Sequence, residues 1–282
     1  MSADAAQTQV PALSPTLSPE NFVKSMLPDC TVKLIETDGA SPQHSAFCQF
    51  MPKDLAHGSD CPDWKILQRF ALTTFCHATG GKNWKVDNGW LEHGVDECDW
   101  HSPRPELQLA DRETGEPIGK TPISDVPCNE SGACQRLTQH GNQANGTLPP
   151  EIFELLPSLV SLNIDPQGAN WVCTPAADGD ERCQRVSECV TTGVVPSQIC
   201  LSSQLQHLSL DCQGLTGSLP SNLWQMSLLE HLRLCDNQVT VEMPASVGQM
   251  KSLKLFDLGS YQLNGTIPTE IGLLSGLTSL VL

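Results

Sequence analysis

The second half of the chain sets short runs of aliphatic residues against polar turns at a constant step. Leu205-x-x-Leu208-x-Leu210 recurs as Leu229-x-x-Leu232-x-Leu234, Leu253-x-x-Phe256-x-Leu258 and Leu277-x-x-Leu280-x-Leu282, so Leu208, Leu232, Phe256 and Leu280 stand 24 residues apart. Leu219-Pro220, Met243-Pro244 and Ile267-Pro268 keep the same 24-residue interval. Apolar residues at alternate positions predict a strand with one buried face. Two copies lie upstream. Leu137 stands 12 residues before Pro149, as Leu232 stands 12 before Pro244. Leu159-x-x-Leu162-x-Ile164 supplies the next strand, but the proline that answers it is Pro196, so 22 extra residues lie between them.

A unit this short cannot bury its own leucines, so its stability must come from stacking on its neighbours. Each strand then pairs with those of adjacent units. Asn142 and Asn237 fall in the following turn, where a side-chain amide can bond the backbone of adjacent coils. Gly-x-aliphatic-Pro, at Gly146, Gly217 and Gly265, carries the chain across the far side, where proline suits a segment without ladder bonds. The pattern predicts an α/β leucine-rich-repeat solenoid, with parallel strands on the concave face and 3-10 or irregular structure on the convex side. The unit Leu205-x-x-Leu-x-Leu-x-x-Gln-x-Leu215-x-Gly217-x-Leu219-Pro220-x-x-Leu223 resembles the plant-type subclass. The repeats are placed at residues 134–282, five plus a truncated sixth, with a Cys-rich insertion at about 165–195.

Such a stack needs a cap over its first strand. Residues 21–133 are expected to supply a helical extension and that cap. Ile66/Leu67, Phe70/Ala71 and Thr74/Phe75 are spaced for a helix, which Gly80-Gly81 ends. Asn83-Trp84, Gly89-Trp90-Leu91 and Glu97-Cys98-Asp99-Trp100 resemble the N-terminal cap of plant-type repeat proteins. There, Cys-x-Trp is followed by a second cysteine and then by the first repeat. The resemblance implies a Cys98–Cys128 disulfide, with Cys134 a competing partner. The stretch His101 to Pro127 is much longer than the family's few residues.

A narrower group resembles more of the chain. Leu27-Pro28-Asp29-Cys30-Thr31-Val32, Gln68-Arg69-Phe70-Ala71-Leu72 and Ala78-Thr79-Gly80-Gly81-Lys82-Asn83-Trp84 look like diatom receptor-like leucine-rich-repeat proteins. That resemblance implies a Ser/Pro-rich, disordered linker over residues 1–20 and a membrane span upstream of Met1. With Leu280-Val281-Leu282 stopping inside a strand, the polypeptide reads as a fragment.

Charge and composition narrow the partners. Sixteen basic residues against 32 acidic ones give a net charge of −16, which disfavours nucleic acid and anionic lipid. Aromatic residues make up 5%, too few for base-stacking platforms. No apolar run approaches the ~18 residues of a membrane span, and Met1 to Glu20 lack the features of a signal peptide.

Thirteen cysteines occur without a Cys-x-x-Cys pair, which speaks against zinc ribbons and thioredoxin-like motifs. Cys173, Cys183, Cys189 and Cys200 crowd one segment, where two local disulfides are expected and three pairings are open. Cys212 and Cys235 lie at one height on adjacent strands, as a cross-strand disulfide or with one as a leftover thiol. Sequons at Asn129, Asn145 and Asn264 agree with glycosylation and with an extracellular or cell-surface location rather than a cytoplasmic one.

No catalytic motif stands. Gly115 to Thr121 has three residues between its glycines where a P-loop needs four, and Pro117 and Pro122 spoil the context. Asp178-Gly179-Asp180-Glu181 is too short a loop for a calcium site. The eight histidines lack metal spacing, so no cofactor, metal or enzymatic activity is expected.

What remains is a surface. The strand positions flanking the buried leucines are Arg136, Thr138 and His140; Ser161, Asn163 and Asp165; His207, Ser209 and Asp211; His231, Arg233 and Cys235; and Leu255, Asp257 and Gly259. Strands ~4.8 Å apart make a concave wall roughly 20 Å wide, suited to a peptide or loop. The expected role is a protein- or peptide-binding ectodomain of a receptor-like protein. A secreted adhesion or enzyme-inhibitor protein and an intracellular scaffold are the alternatives.

Overall fold

The computed structural model describes residues 19–54, 63–84, 90–91, 95–100, 126–140, 146–165, 171–175, 181–185, 192–211, 213–259 and 263–282. Four helices open it: α1 (Pro19–Met26), α2 (Asp29–Thr37), α3 (Pro42–Asp54) and α4 (Asp63–Ala78). The first begins at Pro19, so the last two residues assigned to the N-terminal linker are helical. Val23, Leu27, Ile35, Ala46 and Phe47 bury one another against Ile66 and Phe70 of α4.

The other side of α4 faces a second core. Ala71, Leu72 and Phe75 join Trp84, Trp90 and Trp100, and that cluster runs unbroken through Leu137, Leu162, Leu208, Leu232 and Phe256. Trp84 and Trp90 meet edge to face with ring centroids 5.0 Å apart, and Trp90 lies 5.1 Å from Trp100. Cys98 is joined to Cys128 by a disulfide, while Cys134 stays a buried free thiol. Gln68 ties α4 to these segments: its carbonyl accepts from Cys134 N–H at 2.6 Å, and its amide donates to Glu97 and to Gly132 O, both at 2.9 Å.

The main sheet begins with β1 (Arg136–His140), followed by the short helix α5 (Glu151–Glu154) and β2 (Ser161–Asp165). Two strands, β3 (Trp171–Pro175) and β4 (Glu181–Arg185), form a separate antiparallel hairpin. Then come β5 (His207–Ser209), β6 (Thr216–Ser218), β7 (His231–Arg233), β8 (Gln238–Glu242), β9 (Leu255–Asp257), β10 (Leu263–Asn264) and β11 (Ser279–Val281). The main sheet has six strands, all parallel, in the order β1-β2-β5-β7-β9-β11. Leu137, Leu162, Leu208, Leu232, Phe256 and Leu280 form one register row across it. Strand β2 pairs directly with β5, so the hairpin sits outside the sheet, within the extra 22 residues counted from the sequence. These parallel strands at a repeating step fit an α/β leucine-rich-repeat fold.

The side opposite the main sheet follows the prolines. Pro196, Pro220, Pro244 and Pro268, each with extended backbone, precede 3-10 turns at Ser197–Leu201, Ser221–Gln225, Ala245–Gln249 and Thr269–Leu273. The expectation that the stretch before them lacks ladder bonds is overturned. Strands β6, β8 and β10 pair in parallel as a second, three-stranded sheet immediately upstream of Pro220, Pro244 and Pro268. Proline cannot donate to a ladder, but it stands one or more residues past each strand's end, so Thr216, Gly217 and Ser218 can pair with Gln238, Val239 and Thr240.

Asn237 stitches two repeats together. Its Oδ1 accepts from the backbone N–H groups of Gln213 and Leu215, each at 3.0 Å. Its Nδ2 donates to Leu210 O at 2.7 Å and Leu234 O at 2.9 Å. Gln213 does comparable work one turn earlier, donating to Ile164 O at 2.9 Å and Asp211 O at 3.0 Å. Both side chains are buried, so these bonds replace water that the turn excludes. Asn142 lies outside the described residues.

Candidate functional site

Because the main-sheet leucines face the core, the residues between them face outward in rows set by the register. One row is Arg136, Ser161, His207, His231, Leu255 and Ser279. The next is Thr138, Asn163, Ser209, Arg233, Asp257 and Val281. The strand positions in these two rows thus stand in register. The side chains of His140 and Asp165 lie outside the described residues, although their backbones pair with each other.

Two histidines form the middle of the first row. The rings of His207 and His231 lie 4.6 Å apart, one edge toward the face of the other. Burial first, then the neighbouring His231, holds His207 below the ordinary 6.5, with Glu230 pulling in the opposite direction. The pair therefore favours a neutral His207 that presents nitrogen lone pair and N–H to whatever meets it.

Below this row lies a charged knot. Arg233 and Asp211 form an ion pair at 2.9 Å, and Asp211 Oδ1 accepts from Cys235 N–H at 3.1 Å. Asp211 is 8% exposed, and its burial pushes the carboxyl above the usual aspartate range despite Cys235 and Arg233. Asp257 Oδ1 accepts from Gly259 N–H at 3.0 Å. Arg233 keeps nearly half of its side chain in solvent while its carboxylate partner is mostly covered.

Glu230 and Lys254, bonded at 2.6 Å, were missed by the sequence reading. They stand one residue before β7 and β9 and 24 residues apart, so the repeat phase that located His231 also locates them. Both act electrostatically on His207, which places them beside the histidine row.

Cys235 is a free thiol, which matches the leftover-thiol alternative and not a Cys212–Cys235 bond; burial, with the Asp211 carboxylate, pushes that thiol up to about 12. A protonated thiol beside a carboxylate is a donor and a poor disulfide former. Cys200 is also free, accepting from Asn222 Nδ2 at 3.0 Å and turned toward Ser197 O, so it joins no local disulfide. Cys173 and Cys183 stand opposite each other in the β3–β4 register. Cys189, Cys212 and the segments 115–121 and 178–180 lie outside the described residues.

Of the sequons, Asn129 turns its Oδ1 onto Ser131 N–H at 3.0 Å and Ser131 Oγ at 2.6 Å, and Asn264 is exposed at the end of β10. Asn145 lies outside the described residues.

No protein-family model matches the chain, and no curated protein matches it. Among solved structures it is similar to leucine-rich-repeat ectodomains of plant receptors. The ectodomain of the membrane receptor kinase GASSHO1/SCHENGEN3 from Arabidopsis thaliana is 31% identical over 51% of this chain and 14% of its own, with a TM-score of 0.40. A TDR receptor is 33% identical over 53% and 22%, at 0.40. The ectodomain of the Arabidopsis thaliana receptor kinase SOBIR1 is 20% identical over 58% and 79%, at 0.43. The chain thus spans under a quarter of the length of the first two.

Proposed function

We propose that this chain is a non-catalytic protein- or peptide-binding module, the ligand-binding ectodomain of a receptor-like cell-surface protein. In this reading the repeats at 134–282 form a curved solenoid capped by residues 21–133, and its concave wall is the outward face of the main sheet. The observation that carries it is the register row Arg136, Ser161, His207 and His231 above the Asp211–Arg233 pair. Polar groups on four adjacent strands line up across the sheet, and Arg136, Arg233 and Lys254 stand there beside Asp211, Glu230 and Asp257. Such a wall offers hydrogen bonds and charge along a line, as an extended peptide requires. The Cys98–Cys128 disulfide supports an extracellular setting, in which Asn129 and Asn264 would be glycosylated.

The test is a screen of extracellular peptides and proteins against the wild type, Arg233→Glu and His207→Ala, with Gln225→Ala as a control in an exposed 3-10 turn. A ligand whose affinity falls at least tenfold with Arg233→Glu and is untouched by Gln225→Ala supports the face. Binding unchanged by both face variants removes it.

One observation favours the intracellular scaffold instead: Cys30, Cys48, Cys134, Cys200 and Cys235 are free thiols. Thiol counting on protein isolated natively under an alkylating quench separates the two. A retained Cys98–Cys128 bond supports the ectodomain, and a fully reduced chain supports the scaffold.

A further inference from the structure

We propose that Cys48 is a nucleophilic thiol with His44 as its general base, and that it exchanges with small disulfides to form a mixed disulfide. The two residues are four apart on α3, on one face of the helix. Cys48 is exposed and free, and its Sγ lies 3.3 Å from His44 Nε2. The ring's other nitrogen, Nδ1, lies 2.7 Å from the carbonyl oxygen of Ile35. A carbonyl oxygen only accepts, so Nδ1 carries a proton. In the neutral imidazole Nε2 is then a lone pair, and the Cys48 S–H is the donor between them.

This is a nucleophile bonded to a base that a third group orients, the arrangement that activates cysteine and serine nucleophiles. The orienting group is firmly placed. Ile35 is 4% exposed in the core of the first three helices, and Ser41 Oγ accepts from His44 N–H at 3.1 Å. The free thiol Cys134, just before the first strand, differs. Cys134 is buried and pushed up to about 12 by that burial and by Glu97, which makes it inert.

The exchange balances within the dyad and its co-reactant, a low-molecular-weight disulfide. The Cys48 proton passes to His44 Nε2 as the sulfur forms a new S–S bond to one sulfur of the reagent. The reagent's own S–S bond breaks, and the departing thiolate takes the proton back from the imidazolium. The site is remote in sequence from the sheet face and stands or falls independently of it.

Peptide-resolved kinetics test the proposal. The native chain is incubated with oxidised glutathione near neutral pH, quenched and digested with trypsin. Cys48 is the only cysteine of the peptide Leu34–Lys53, and Cys30 the only one of Ser25–Lys33. Cys30, also exposed and free, on α2, is the internal reference. Cys48 should acquire the mixed disulfide at least roughly tenfold faster than Cys30, and concentrated guanidinium chloride should bring the ratio to about one. His44→Asn keeps an N–H for Ile35 O and deletes the base, so Cys48 should slow to the Cys30 rate while Cys30 is unchanged. Equal rates for the two cysteines in native wild type, or a full Cys48 rate in folded His44→Asn, overturn the proposal.

Discussion

The Asp211 carboxylate bonds the Arg233 guanidinium at 2.9 Å from the turn after β5 to the middle of the outward face, and its other oxygen takes the N–H of Cys235. The carboxyl titrates above its ordinary range because burial outweighs both partners. Removing the charge while keeping the shape should therefore be mild. Asp211→Asn is expected to change stability by less than about 1 kcal/mol near neutral pH. Asp211→Ala leaves a backbone donor without its acceptor and should cost about 1–3 kcal/mol. Urea unfolding of the two variants checks the order, and an Asn variant weaker than Ala would contradict it.

Core position predicts a steeper scale. Leu232 is fully buried and Leu258 is 2% exposed, so truncation of either to alanine should cost ~2–5 kcal/mol through the cavity left behind. Leu280 shares the register row of Leu232 but is 43% exposed, and Leu280→Ala should cost less than about 1 kcal/mol. Equal losses at positions 232 and 280 would mean that the row is not graded by burial.

A single amide is expected to matter as much as a leucine. Asn237→Ala removes the partners of two buried N–H groups and two carbonyls, so a loss of at least about 2 kcal/mol follows. Amide hydrogen exchange should speed up at Gln213 and Leu215 before it does at Leu137. Uniform acceleration along the chain would refute this local role.

Stability should fall on mild acidification. His207 and His77 are both held below 6.5, chiefly by burial. A histidine depressed in the folded chain binds its proton more readily when unfolded. Stability is thus complete above about 6.5 and is lost as the pH falls from there toward the folded-state values. The denaturation midpoint should drop between pH 7.5 and 5.5, and the His77→Gln/His207→Gln double variant should flatten that slope. A midpoint that rises over the same interval would reverse the sign of the argument.

The 24-residue step made the buried strand row, the proline-led 3-10 turns and the Asn237 turn legible, because each follows from period and residue type alone. The second sheet was not legible. Thr216-Gly217-Ser218 carries no alternation of apolar residues, and its pairing depends on the neighbouring turn presenting Gln238 to Thr240 alongside. On the candidate face the positions could be counted, but the partnerships could not. Only the fold shows that Asp211 is covered enough to titrate upward, that the charges of Glu230 and Lys254 act on His207, and that Cys235 stays reduced beside an acidic neighbour.

The direct pairing of β2 with β5 has one more implication. The sheet closes over the gap as though the hairpin were absent, with Leu162 beside Leu208. The two points where the excursion departs and returns are therefore held by the scaffold itself. An engineer wishing to seat a foreign epitope, a reporter peptide or a cleavage sequence would find the splice already made there. Exchange of the β3–β4 segment should leave the remaining architecture, and the leucine ladder beneath it, undisturbed.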